Sequence, residues 1–412
     1  MAEQTGVLSG VSVIKTVAQA GWARWLRRLA FVLAYCLLSN LAIHLVLPDR
    51  RFARDYRPEW YELPRYVRFI HDYHRRHPDQ PIIIFAGPST SWGMGARPGK
   101  GFPERFARIL RERYPRGPLA RAKIFNVSLV GNNSATDYYT LRALSGVADA
   151  VYLQIHYAAF SFRDQLHLKP ELVVGLGQWP SERERMALGG EWVQNARNWG
   201  WDTAISIWLC RHLPLYRDRI ALRHHLYQDV SNPAEYLYDS YENWMEATGR
   251  ERRERAARRL REACYDRELF KVGVTQRWEQ LSTGARDWFR KMTGWRFQGV
   301  PIRANNRNFT FLKLTVSDLQ RRRVPLFVYT AKINVSLLER EGLWDQALYD
   351  RNQPVLARYF AAHAVPYVDY NDRPVLPERY FHDYAHLLDP GAAWQAEQLF
   401  RDSRGFLEKI GR

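Results

Sequence analysis

Short apolar runs alternate with amphipathic stretches in two separate blocks of this chain, and that alternation restricts the fold more than any other feature. Residues 82–86, Ile-Ile-Ile-Phe-Ala, form a run of the kind buried on both faces of a parallel sheet. Similar runs at 123–129, 150–157, 324–330 and 365–370 predict four more strands. Between the first two, Phe102, Phe106, Ile109, Leu110 and Tyr114 recur at helical spacing with arginines between them. Ser134-Ala135-Thr136-Asp137 resembles a capping box opening a helix to about 146. Further helices are expected at 309–322, at 343–363 and from Asp389-Pro390, where Asp can cap and Pro suits the first turn. Five strands alternating with helices predict an α/β fold, a three-layer α/β/α sandwich with a five-stranded parallel sheet.

The two blocks, 81–160 and 306–412, are separated by residues 161–305, where the alternation stops and helical segments rich in Trp and Arg take over. This insertion includes a charged helix at 251–262 with Glu and Arg at three- and four-residue spacing. It reads equally as a cap over a site or as a packing layer. Ahead of the first block, residues 48–80 read as an irregular, partly helical stalk.

Residues 29–47 are almost continuously apolar, broken only by Ser39, Asn40 and His44, and their 19 residues approach the span of a bilayer core. They predict one transmembrane helix behind a cytoplasmic tail of residues 1–28. Pro48-Asp49-Arg50-Arg51 follows, with no small-residue cleavage site, so an uncleaved anchor is expected rather than a removed signal peptide. Arginines flank both ends and nearly balance the positive-inside comparison, so charge alone does not orient the span. The expected arrangement puts the residues beyond it on the periplasmic, extracytoplasmic side of the cytoplasmic membrane.

The chain carries a net charge of +18, mostly arginine dispersed among tryptophan and tyrosine. No helix-turn-helix, zinc-finger or RNA-binding signature accompanies it, so nucleic acid is not an expected partner. Anionic headgroups or an anionic polymer fit the charge better, and a merely solvated surface fits as well. Of three cysteines, Cys36 lies in the apolar run, and spacing does not establish a bond between Cys210 and Cys264. No metal-ligand spacing and no cofactor motif occurs.

Chemistry concentrates where the strands end. Gly87-Pro88-Ser89-Thr90-Ser91-Trp92-Gly93 follows the first strand directly, a small-residue turn that carries hydroxyls. Asp383-Tyr384-Ala385-His386 stands after the last strand and before the last helix. Ligands of open parallel sheets bind beyond the carboxyl ends of the strands, which brings these segments to one edge. Ser89 as nucleophile, His386 as base and Asp383 as its orienting carboxylate would then form a nucleophilic system, with Ser91 as rival nucleophile. A turn serine and a surface Asp–His ion pair are the bland alternatives.

These residues resemble the SGNH, or GDSL-type, hydrolase superfamily. Its first block matches Gly87, Ser89 and Gly93, with Pro88 in place of the family's Asp, and its second resembles Asn126 to Gly131. Its last matches Asp383 and His386. The third departs: His156-Tyr157-Ala158-Ala159 stands where the family has Gly-x-Asn-Asp, so the oxyanion-donating asparagine is absent. The resemblance implies a flavodoxin-like sandwich, with backbone N–H groups of Ser89 and Gly131 as oxyanion donors. His156 and Tyr157 are the stand-ins for the missing asparagine, though their positions equally suit packing. Asn132, with Asn133 and Ser134, suits substrate hydroxyls or helix capping.

An N-terminal anchor joined to an SGNH domain with a drifted third block is similar to the proteins that accompany membrane-bound O-acyltransferases, in lipoteichoic acid D-alanylation or alginate O-acetylation. That implies acyl transfer on a cell-envelope or exported polysaccharide, with a multi-span acyltransferase as partner and an anionic polysaccharide or lipid-linked glycan as substrate. A carboxylesterase or lipase-like hydrolase, and a non-catalytic scaffold for the acyltransferase, are the competing expectations.

Overall fold

The computed structural model describes residues 52, 56–97, 99–161, 166, 168–188, 201–227, 301–303 and 306–411, together with scattered positions between 22 and 38 and at 283, 287 and 290. The segment expected to be an anchor falls mostly outside these residues. Ala30, Phe31, Leu33, Ala34, Leu37 and Leu38 are described within it, and they are helical and exposed. Among the described residues no helix is long and apolar enough to cross a membrane. The 251–262 helix and Cys264 also lie outside the described residues.

The fold is α/β, built on a five-stranded, fully parallel sheet. Its strands are β1 (Ile82–Ala86), β2 (Lys123–Asn126), β3 (Ala150–Ile155), β4 (Leu326–Thr330) and β5 (Tyr367–Val368), in spatial order β2-β1-β3-β4-β5. Every strand appears where the apolar runs place it, but each except β1 is shorter. β2 and β3 stop short at their ends, β4 begins two residues later, and β5 is trimmed at both ends.

Alternation along the strands sorts their side chains into two cores. Ile82, Ile84, Val151, Leu153 and Val328 pack with helices Leu63–Arg76, Ser134–Leu144, Arg307–Arg321 and Gln346–Ala362. Ile83, Phe85, Tyr152, Phe327 and Tyr329 pack with helices Phe102–Arg113, Asp389–Asp402 and Arg404–Ile410. Burial on both sides is why these strands read as near-continuous apolar runs. In the second core Phe85 stacks on Tyr152 with ring centroids 4.9 Å apart.

The helical part of the segment 48–80, read as irregular and partly helical, is residues 63–76, a 14-residue helix whose Leu63, Tyr66, Val67 and Ile70 are buried in the first core. The insertion, where described, is hydrogen-bonded to the 134–144 helix. Glu184, on helix Glu182–Leu188, is buried and accepts hydrogen bonds from Tyr138, Tyr139 and Arg142 of the 134–144 helix. Helices Trp201–His212 and Pro214–Tyr227 follow, and Cys210 is a buried free thiol.

Candidate active site

The connection leaving β1 runs to β2 on one side and the connection leaving β3 runs to β4 on the other, so the strand order reverses between β1 and β3, the place where an open parallel sheet forms a crevice beyond its carboxyl ends. The sequence places Ser89 at that point. Gly87 leaves the strand at φ +146°, and a Cβ there would lie 2.7 Å from the Gln154 carbonyl oxygen on β3. Only glycine lets the chain pass so close. Pro88 is extended and Ser89 begins a single helical turn, Ser89–Trp92. Gly93 closes the turn at φ +96°, where a Cβ would meet the Arg57 guanidinium at 2.9 Å. The spacing of Gly87, Ser89 and Gly93 is therefore a steric requirement of this turn.

Neighbouring groups hold the turn rigidly. Thr90 donates its hydroxyl to Gln154 Oε1 at 2.5 Å. Asn126 Nδ2 donates to the Ser91 carbonyl at 2.9 Å. Arg57 Nη1 donates to the carbonyls of Gly93 and Ala96, both at 3.1 Å, and Trp92 Nε1 donates to Pro58. Ser91 is fully buried, so it does not face the crevice, whereas Ser89 is half-buried at its mouth.

The opposite wall is the loop 381–389. Phe381 and Leu387 form an antiparallel bridge, and His382 N–H donates to the His386 carbonyl at 2.7 Å. Asn334, beyond β4, fastens this loop from below: its N–H donates to the Tyr384 carbonyl at 2.8 Å, and its side-chain amide to the Asp383 carbonyl at 3.3 Å. Asp389, expected to cap the last helix, has another use. The cap position is Leu388, with no side-chain cap, and the Asp389 carboxylate accepts from Arg97 N–H at 3.1 Å and Nε at 2.6 Å. That pair joins the serine-bearing and histidine-bearing segments.

Across this crevice Ser89 Oγ lies 2.8 Å from His386 Nε2, and His386 Nδ1 lies 2.6 Å from Asp383 Oδ2. The remaining Asp383 oxygen accepts from the N–H groups of Ala385 and His386, both at 2.9 Å. Burial alone would raise the Asp383 carboxyl. The attraction and hydrogen bond of His386, the nearby His382 and the Ala385 N–H outweigh it and hold the carboxyl well below its usual range. An ionised Asp383 fixes the proton on Nδ1 and leaves the Nε2 lone pair facing the serine hydroxyl. Chemically, this arrangement can deprotonate Ser89 as it attacks an electrophilic carbon.

Ser89 N–H opens a helical turn and makes no hydrogen bond within the described structure. Gly131 N–H is likewise unpartnered there, in an exposed turn at φ +70°. The loop carrying Gly131 is laid on Gly87, through Leu129 N–H at 3.2 Å and Asn132 Nδ2 at 3.0 Å, both to the Gly87 carbonyl. The same Asn132 amide donates to Asp137 Oδ1 at 2.6 Å, so both its protons are used and none remains for an oxyanion. Asn133, not Ser134, caps the 134–144 helix, accepting from the N–H groups of Ala135 and Thr136. Asp137 is displaced from the expected box and buried, and burial, opposed by the Asn132 hydrogen bond, pushes its carboxyl up to about 7.

Of the two stand-ins for the absent asparagine, Tyr157 turns away. It is buried among Ile333, Leu337 and Tyr349, and its hydroxyl accepts from Asn352. His156 is half-buried, edge-on to Tyr384 at 6.3 Å, and Tyr384 is in turn 6.1 Å from the His386 ring. Arg57, Gln154 and Asn334 were not singled out from sequence. Gln154 carried the one available signal, an uncharged amide in an otherwise apolar and aromatic strand. Among the described residues no group of His, Cys, Asp and Glu could hold a metal ion.

No protein-family model matches the chain, and no curated protein is significantly similar to it.

Proposed function

We propose that this chain is a serine acyl-transfer enzyme of SGNH type, a three-layer α/β/α sandwich tethered to the cytoplasmic membrane by residues 29–47 and acting on a cell-envelope glycan outside it. One observation carries the reading: Ser89, His386 and Asp383, from segments almost 300 residues apart, meet at 2.8 and 2.6 Å in the order nucleophile, base, carboxylate. A surface ion pair would not bury Asp383 and His386 or aim the free imidazole nitrogen at a hydroxyl beside a topological switch point.

In the first half-reaction Ser89 Oγ attacks the acyl carbonyl while His386 Nε2 takes the hydroxyl proton. Charge developing on the carbonyl oxygen is met by the N–H groups of Ser89 and Gly131. Two backbone donors are a sparse oxyanion site, and one lost donor typically costs about a hundred- to a thousandfold in turnover. Sparse stabilisation suits an enzyme supplied with an activated acyl donor, as a multi-span O-acyltransferase would provide. His386 then returns its proton to the leaving oxygen, leaving the acyl group on Ser89. In the second half-reaction a glycan hydroxyl attacks the acyl carbon as His386 takes its proton, the bond to Ser89 breaks, and His386 returns that proton to Ser89 Oγ. Asp383 stabilises the imidazolium formed in each half.

Support for the tether is the apolar run itself, in which Phe31, Leu37 and Leu38 are 74%, 70% and 67% exposed. Large apolar side chains left open along a helix favour a lipid environment.

The test is acyl partitioning. The full chain in detergent is given a short nitrophenyl ester, with and without a soluble glycan fragment. Transfer predicts an acyl adduct on Ser89 that drains faster when glycan hydroxyls are added. Rapid turnover to water, indifferent to glycan, would replace transfer by ester hydrolysis. No adduct at all would reject the enzyme.

A further inference from the structure

Six arginines converge far from the triad, around a cavity of about 490 Å³. Arg68 and Arg75 come from the 63–76 helix, Arg142 from 134–144, Arg211 and Arg217 from the two helices of the insertion, and Arg322 from the end of 307–321. Among the described residues, Asp72 is the only carboxylate on the walls. The 134–144 helix begins at the catalytic edge and ends here, and Arg322 precedes β4, so the cavity sits at the opposite edge of the sheet.

Four of the six have a local explanation. Arg75, Arg142 and Arg211 stand in the last turns of their helices and Arg322 just after one, where a cation offsets the negative end of the helix dipole. Arg75 also pairs with Asp72, Arg142 with Glu184 and Arg322 with Asp318, while Arg211 donates only to the Gly177 carbonyl.

The other two do not fit that account. Arg68 lies mid-helix, half-buried, with no ion pair or hydrogen bond in the described structure. Arg217 lies in the first turn of helix Pro214–Tyr227, where the dipole disfavours a cation. Its side chain is 8% exposed, and Nε and Nη2 grip Asp218 at 2.8 Å each, yet Nη1 is buried without an acceptor. A buried guanidinium nitrogen left unmatched is costly unless an acceptor arrives.

We propose that this cavity binds a phosphate-type oxyanion. Planar guanidinium forks match the oxygens of a phosphoryl group in pairs, and several converging on one recess fit a compact dianion or a phosphodiester better than a lone carboxylate. The same chemistry is offered by a soluble phosphate group and by an anionic phospholipid head. The assignment does not rest on acyl transfer, because none of its residues touches the triad.

The full chain in detergent is unfolded thermally in phosphate and in chloride, at equal pH and ionic strength. Parallel samples contain dihexanoyl phosphatidylglycerol or dihexanoyl phosphatidylcholine below their micellar concentrations. The expected result is a saturable rise in unfolding midpoint with phosphate, half-saturation weakening at least tenfold in Arg68→Gln/Arg211→Gln and unchanged in Arg116→Gln, which removes equal charge outside the cavity per substitution. Stabilisation by phosphatidylglycerol alone would assign the site to the lipid head. Equal midpoints in phosphate and chloride, with no difference between the two lipids, would overturn the proposal. So would a phosphate effect that survives in the double variant. Should that variant not fold, Arg68→Lys keeps the charge and loses the fork, and an unchanged half-saturation there would equally count against it.

Discussion

The two edges of the sheet are built on opposite electrostatic plans. Among the described residues, connections leaving the strands at the triad edge, residues 87–101, 127–133, 156–161, 331–345 and 369–389, hold six lysines and arginines against eight carboxylates. Several of these charges are tied into buried networks: Lys332 donates to the carbonyls of Tyr370 and Arg373, and Asp369 accepts from Thr330 and Tyr349. Connections entering the strands at the other edge, residues 75–81, 111–122, 145–149, 321–325 and 363–366, hold nine arginines against three carboxylates. A site that must present one hydroxyl to one imidazole needs matched, immobilised charge. A surface that attracts anions needs the reverse. The fold separates these demands by giving each its own end of the strands.

That contrast can be broken most directly at the edge that holds Ser89. Ser89→Ala should abolish acyl-enzyme formation and lower ester turnover by at least about 10⁴-fold, and Asp383→Asn should cost about 10³- to 10⁴-fold through the wrong imidazole tautomer. Both are read by steady-state kinetics on a nitrophenyl ester. Retained turnover in Ser89→Ala would mean that this edge is not the reactive one.

Gly87→Ala comes next. Its new methyl would press on the Gln154 backbone at 2.7 Å, in a conformation that disfavours side chains. The expected loss is about 1–3 kcal/mol in chemical denaturation, with turnover falling because Ser89 shifts. Unchanged activity at lower stability would show that the turn tolerates displacement.

Asp137→Asn tests the buried carboxyl beside the Gly131 loop. The folded protein holds this proton up to about pH 7, while the unfolded chain releases it near 4, so between those values the folded state binds more protons and stability falls as pH rises. The asparagine variant lacks that dependence. Its stability relative to the parent should climb from about pH 4 to 7 and then level, a rise of about 4 kcal/mol in all. A difference independent of pH would place the Asp137 proton elsewhere.

The smallest effect is expected at the basic edge. Arg116→Gln with Arg321→Gln should leave ester turnover unchanged and shift stability by no more than about 0.5 kcal/mol. A marked loss of turnover would show that the two edges are not independent.

Much of this was readable in the residues. The strands announced themselves because both their faces are buried, and the triad did because Gly87, Ser89, Gly93, Asp383 and His386 each satisfy a local geometric demand. Contacts across the fold were not readable. Arg57 braces the Ser89 turn from a segment that looked irregular, and Asn334 holds the Asp383 loop from a sequence with no chemical signature. Part of the arginine excess looked dispersed because three segments that carry it, 75–81, 111–122 and 321–325, are far apart along the chain. Only the topology, which returns the chain to the same edge before each strand, reveals it as one surface.

A fluorophosphonate probe addresses the central claim without knowledge of the substrate, since it reacts far faster with a serine whose proton a neighbouring base removes than with an ordinary hydroxyl. Incubated with the folded full chain, it should leave one adduct, found by peptide mass at Ser89, lost in Ser89→Ala and strongly slowed in His386→Ala. A folded protein that stays unlabelled, or that labels equally well without Ser89, would contradict the account.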